Sequence, residues 1–224
     1  MMKKLGYILV LLSSLVLCLG VASAAAPGGA EVTTTSDLGE YVTPYESVDV
    51  EAGNITFAEL QSDMSTARWA GLIGNATGNI VLGDDRNETM YNWGGDAIAV
   101  YASTGAPDWN SLAISDCATL NLAWLNDQAV DNCTNTFDAQ IDMDSNLFEG
   151  LGATAQAQSQ DDGGADNWYT YLYTDGAEDV FAGEVNLAGT AYNGDTVDFQ
   201  MLLPEDGTNQ DTAVETYNLW VELQ

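Results

Sequence analysis

Apolar and polar positions alternate with a period of two along most of this chain, and the alternating stretches are separated by clusters of Gly, Asn and Asp. Half-buried strands joined by tight turns leave that pattern. The cleanest run extends from Arg68 to Leu82, where Ala70, Leu72, Gly74, Ala76, Gly78, Ile80 and Leu82 are all apolar or glycine. It predicts one long strand, bent where Gly74 and Gly78 permit, with Leu72, Ile80 and Leu82 facing a core and Asn75 facing outward. A hairpin turning at 75–78 is the alternative. Val48, Val50, Ile55, Phe57 and Leu60 fit strands interrupted by Gly53. Further strands are predicted at 88–93, 97–103, 168–174, 179–187, 196–203 and 214–223. Only 116–130 departs from this rhythm: Asp116 can cap, and Cys117, Leu120 and Trp124 recur at helical spacing. The predicted fold is therefore mainly β, an antiparallel β-sandwich with one short helical insertion near 116–130.

The first residues follow a different logic. Lys3 and Lys4 precede an apolar run from Tyr7 to Val21, and Ala22-Ser23-Ala24 forms a small-residue cleavage site. Residues 1–24 read as a secretory signal, since the apolar run is shorter than the roughly 20 residues of a spanning helix; an uncleaved anchor is the alternative. Cys18 follows Leu17 rather than the small residue of a lipoprotein signal, which leaves it inside the signal core. Residues 25–46 read as a flexible N-terminal arm, opening with Ala25-Ala-Ala-Pro-Gly-Gly-Ala and containing the β-prone Glu31-Val-Thr-Thr-Thr35. Residues 47–224 read as one domain. The terminal Tyr217–Gln224 alternates like a strand, so no membrane span is expected after signal cleavage.

Charge sharpens the picture. The chain carries 34 Asp and Glu against four Lys and Arg, and beyond residue 24 only Arg68 and Arg86 remain as cations. Two cations against 34 carboxylates leave −32 on the 200 residues that follow the signal (224 − 24). Such a surface repels nucleic acid and anionic membranes, and repels itself unless salt shortens the Debye length to about 3 Å at 1 M.

Cys117 and Cys133, with 15 residues between them, read as a disulfide in an exported chain, worth about 3 kcal/mol in the loop-entropy picture. A metal site is the weaker competitor, because the sequence has no His and no CxxC. Sequons stand at Asn54, Asn75, Asn87 and Asn132. With 16 Asn and 32 Ser plus Thr in 224 residues, about two would arise by chance. Each is a candidate N-glycosylation site.

Several phrases carry a resemblance: Arg68-Trp-Ala-Gly71 running into Gly74-Asn-Ala-Thr-Gly78, Tyr91-Asn-Trp93, Val100-Tyr-Ala-Ser103, Asp198-Phe-Gln-Met-Leu-Leu-Pro204 and the terminal Val221-Glu-Leu223. In combination they resemble a family of exported archaeal surface proteins over about residues 48–224. The resemblance implies a secreted or surface-associated β domain and carries over no catalytic residue. The charge excess adds a salt-loving archaeal source.

Three kinds of chemistry compete with a purely structural role. Acidic loops offer hard oxygen ligands of the kind Ca²⁺ takes, at Asp142, Asp144 and Asn146 or at Asp161, Asp162 and Asp166. The first set fails the EF-hand pattern, because Leu147 stands where Gly is needed and Ala153 where the bidentate acid belongs; a solvated acidic surface is the simpler reading of both. No other cofactor is indicated. Tyr169, Tyr171 and Tyr173 fall on one face of a strand, where they could stack on sugar rings or on a partner, or simply pack within the sheet. Catalysis through His triads or free thiolates is excluded by composition, which leaves paired carboxylates of the glycosidase type.

The expectation is a non-catalytic, secreted or cell-surface protein, an envelope-associated or fibre-forming subunit whose partners are other surface proteins or copies of itself. The alternatives are a carbohydrate-binding module contacting extracellular polysaccharide and, after it, a carboxylate-dependent glycosidase. The arm suggests a mechanism in which Val32 to Thr35 add a strand to a neighbour's open sheet edge. One prediction follows from charge alone. The thermal midpoint, followed by circular dichroism, rises from dilute buffer to molar NaCl as screening relieves carboxylate repulsion; a flat or falling midpoint contradicts this.

Overall fold

Strands need partners as well as alternation, and the partners decide where this sequence forms them. The structure, a computed structural model, describes residues 26–39, 47–49, 51–55, 57–63, 65–118, 120, 129–141, 143, 151–205 and 215–224. In chain order the strands are β1 (Gly28–Gly29), β2 (Trp69–Gly74), β3 (Val81–Gly83), β4 (Thr89–Asn92), β5 (Ala97–Ser103), β6 (Ala113–Ile114) and β7 (Ala139–Ile141). They continue with β8 (Thr154–Gln160), β9 (Asp166–Thr174), β10 (Asp179–Glu184), β11 (Gly189–Thr190), β12 (Thr196–Val197), β13 (Phe199–Pro204) and β14 (Asn218–Leu223). One helical turn, α1 (Cys133–Thr136), precedes β7. The chain is mainly β, and every described pairing is antiparallel, as the alternation predicts.

The main sheet has the order β1-β14-β5-β10-β9-β8-β7, with β6 pairing the end of β9. One register row crosses it as Ala157, Thr170, Gly183, Val100, Val221 and Gly28. Beside that row lie Leu172, Phe181, Ala102 and Leu219. This face meets the second layer, β2 paired with β13, whose Phe199, Met201 and Leu203 are buried in the same core as Val100, Ala102, Leu172 and Phe181. A sandwich-like core results. Gly183 makes the close approach feasible: a Cβ there would lie 2.8 Å from Met201 Cγ, so the methionine fills a notch that only glycine leaves open. The layers are also joined by a hydrogen bond, the Leu202 amide donating to Thr170 Oγ1 at 2.9 Å.

The Cys117–Cys133 disulfide is formed, with Cα atoms 5.7 Å apart and both residues buried against this core. Asn132 caps α1 by accepting from the Asn135 amide at 2.9 Å. Nearby, Trp69 packs on Phe137 and donates its indole N–H to the Asp131 carbonyl at 2.7 Å. Arg68 forms an ion pair with Asp131 at 3.7 Å.

Three expectations change. The run from Arg68 to Leu82 is two strands, β2 and β3, rather than one. The ladder with β13 ends at Gly74 opposite Phe199, and the Asp198 carboxylate takes the Ala76 amide (3.1 Å) in place of a further strand residue. Beyond it Gly78 passes over Leu223, and Ile80 and Leu82 emerge exposed instead of facing a core. The described helix begins at the second cysteine; at Asp116 the side chain closes a turn onto the Ala118 amide, and 119 and 121–128 lie outside the described residues. Finally, Val48, Ile55, Phe57 and Leu60 belong to no strand and are exposed, because nothing in the described fold offers them a ladder. The predicted signal and residues 40–46 of the arm also fall outside the described residues.

Gly183→Ala is expected to destabilise the fold by about 1–3 kcal/mol, as overpacking does. In the Met201→Ala background the penalty should largely vanish, a coupling that a double-mutant cycle of chemical denaturation measures. Additive effects would mean that the two residues do not share the notch.

Candidate functional site

The second face of the main sheet carries the tyrosines. Gln156, Tyr171, Ala182, Tyr101 and Trp220 form one register row across β8, β9, β10, β5 and β14, and the next row sets Glu184 and Glu222 on either side of Ala99. Two strand spacings put those glutamate backbones about 9.6 Å apart. Tyr171 donates its hydroxyl to Glu184 Oε1 at 2.9 Å, and Tyr101 donates to Glu222 Oε2 in the same manner. Small alanines on the floor, flanked by tyrosine–carboxylate pairs, make this the most chemically dense place in the described fold.

The face is also covered. Tyr101 and Tyr173 are fully buried, Tyr171 is 2 % exposed and Glu222 3 %. Trp109, Leu112 and Met143 pack over it, with Trp109 edge-on to both Tyr101 and the row's own Trp220 at 5.4 Å between ring centroids. The predicted row of Tyr169, Tyr171 and Tyr173 does share a face, yet only Tyr169 reaches the solvent in part. Stacking on sugar rings is therefore not available to Tyr171 or Tyr173: a second layer of aromatics uses the face as core. Of the carboxylate pair, which sequence reasoning could not single out among 34 acids, Glu222 lies under the same cover and Glu184 is partly exposed. Burial, reinforced by the Glu184 carboxylate beside it, pushes the Tyr171 phenol well above its ordinary value.

The acidic loops turn their carboxylates on themselves. Asp161 Oδ1 accepts from the Gly163 and Ala165 amides at 2.8 and 3.0 Å, and its Oδ2 accepts from Asn167 Nδ2 at 2.6 Å. These bonds hold its carboxyl below the usual range, the Ala165 amide contributing most. Asp175 does the same for the Asp108, Ala177 and Glu178 amides. Asp162 is exposed beside Gly194, and among the described residues no group of three or more His, Cys, Asp or Glu is arranged to hold a metal. The other proposed calcium ligands, Asp142, Asp144 and Asn146, lie outside the described residues, as does the side chain of Asp166.

Of the four sequons, Asn54, Asn75 and Asn87 are exposed. Asn87 ends the β3–β4 turn with φ +62°. Asn132 is buried, and its Oδ1 caps α1.

The arm meets the domain at the sheet edge. Gly28 and Gly29 pair with Val221 and Trp220 of β14, and the Ala30 amide donates to the Leu219 carbonyl at 2.9 Å. The pairing strand is thus the glycine pair rather than the predicted Val32 to Thr35, which carry no strand; Val32 is 56 % exposed. Two glycines have little intrinsic preference for a strand, so alternation could not reveal them; the open edge of β14 selects them. Among the described residues no helix is long and apolar enough to cross a membrane.

Comparison of the chain with protein-family models, with curated proteins and with solved structures finds no match.

The Tyr171–Glu184 bond makes a pH prediction. Up to about pH 10 the phenol is neutral in both the folded and the unfolded chain and contributes no pH dependence. Above that the unfolded chain loses the proton while the folded one keeps it, so stability falls as pH rises. Tyr171→Phe should flatten this alkaline decline in denaturant titrations; an unaltered slope would show that Tyr171 is not its source.

Proposed function

We propose that this protein is an exported, non-catalytic structural subunit of a cell surface, assembling with copies of itself by strand exchange at the β14 edge. The observation that carries the reading is the Gly28–Gly29 strand lying on β14, tied to the rest of the chain by residues 30–68, in which no strand occurs among the described residues. A random-coil connection of that length would have a root-mean-square span of about 35 Å, enough to reach a neighbour. Its effective concentration within one chain is of millimolar order. Dilute chains then keep their own arm, whereas crowded chains on a surface can trade arms. Exchange that is head-to-tail and does not close yields a filament. The signal-like start, the acidic composition, the cysteine pair and the resemblance to exported archaeal surface proteins all favour placement outside the cell.

Deleting residues 25–30 is expected to give a folded subunit that forms no filaments in molar salt by electron microscopy, while the intact chain forms them. A synthetic peptide spanning residues 25–36 should bind the deleted subunit and suppress the aggregation that a bare β14 edge invites. Filaments that persist after deletion, or a peptide that fails to bind, would remove the arm from assembly.

A further inference from the structure

Among the described residues the β3–β4 hairpin pairs with no other strand. Its register sets Leu82 opposite Tyr91, and main-chain bonds from the Trp93 amide to the Ile80 carbonyl (2.9 Å) and from the Ile80 amide to the Gly94 carbonyl (2.7 Å) extend the ladder one step beyond the strands. Ile80, Leu82, Tyr91 and Trp93 therefore share one face. They are 43, 50, 58 and 61 % exposed, and the Tyr91 and Trp93 rings touch with centroids 4.8 Å apart. A two-stranded sheet with an uncovered apolar face is marginally stable by itself. Elsewhere in the same molecule Ile55, Phe57 and Leu60 are 101, 84 and 92 % exposed, so the chain does not cover one patch with the other.

We infer that the hairpin face is a self-association site, and that its occupant is the Ile55, Phe57 and Leu60 side chains of a second copy, in a reciprocal two-fold pair. Area supports this. With about 150–250 Å² for a whole aromatic side chain and less for an aliphatic one, the hairpin face exposes on the order of 400 Å² and the three side chains on the order of 500 Å². Neither alone reaches the roughly 800 Å² per partner of a stable interface; a reciprocal pair, in which each copy gives both, does. Charge points the same way. Arg86, one of two cations beyond residue 24, stands exposed in the hairpin turn and makes no ion pair among the described residues, while the exposed Glu59 lies among the incoming side chains. The inference rests on the reading above only in taking the partner to be a copy of the same chain.

The test is sedimentation equilibrium of the intact chain in molar NaCl, in the dilute range in which each chain keeps its own arm and no filaments form. Wild type should form dimers, and Tyr91→Ser/Trp93→Ser and Ile55→Ser/Phe57→Ser should each weaken dimerisation at least about tenfold, as loss of interface anchors does. Circular dichroism should show an unchanged fold, since all four side chains are exposed. An equimolar mixture of the two double variants should pair more tightly than either alone, because one intact hairpin then meets one intact segment. A wild type monomeric at its highest soluble concentration overturns the inference. So does an Ile55/Phe57 variant that pairs like wild type, or a monomeric wild type retained on polysaccharide through Tyr91 and Trp93. Failure of the arm is read separately, since a chain lacking residues 25–30 should lose filaments and keep the dimer.

Discussion

The three central strands, β9, β10 and β5, must be covered on both faces at once, and the rest of the molecule is arranged around that requirement. On one side Met201 enters the notch at Gly183, bringing Phe199 and Leu203 with it and fixing how closely β13 approaches. On the other, Trp109, Leu112 and Met143 roof the tyrosines. Interiors this dense tolerate neither an extra methyl nor a missing one, so the small residues Gly183, Ala99 and Ala182 constrain the fold as firmly as the large ones. Alanines and glycine in mid-strand are weak β formers and cost local propensity. Double-sided burial offsets that cost.

Polar groups inside the second face follow the same constraint. A tyrosine buried there needs an acceptor for its hydroxyl, and Glu184 and Glu222 provide it for Tyr171 and Tyr101. The two glutamates differ in access, because the roof that buries the tyrosines also buries Glu222 while Glu184 stays partly exposed. On the outer surface the opposite rule holds. Asp161, Asp108 and Asp175 serve turn amides, and most remaining carboxylates face water, which suits a chain that has so few cations to neutralise them.

How much of this was legible beforehand depended on the kind of signal. Strands β5, β9, β10, β13 and β14 were readable because each alternates and is bounded by turn residues, and the disulfide because two cysteines in an export-type chain have few other uses. The break between β2 and β3 was not readable. Period two continues through Asn75–Asn79, and only the end of the β13 ladder at Asp198 interrupts it. The face shared by Tyr169, Tyr171 and Tyr173 was visible, but its burial was not, since the roof comes from Trp109, Leu112 and Met143, distant in sequence. The Glu184–Ala99–Glu222 row needed strand order, which no local pattern encodes. Val48 to Leu60 looked like strands because composition reports the ability to pair and is silent on whether a partner exists.

The outermost strand, β1, consists of two glycines. A strand without side chains carries no lock-and-key information: it is recognised through amide and carbonyl groups that every residue possesses. Its hold on β14 is set by how many peptide units lie in register, and that number changes only by lengthening or shortening the segment. Discrimination between one β14 edge and another must then come from whatever brings the edges together. The fastening is generic, and selectivity resides in encounter.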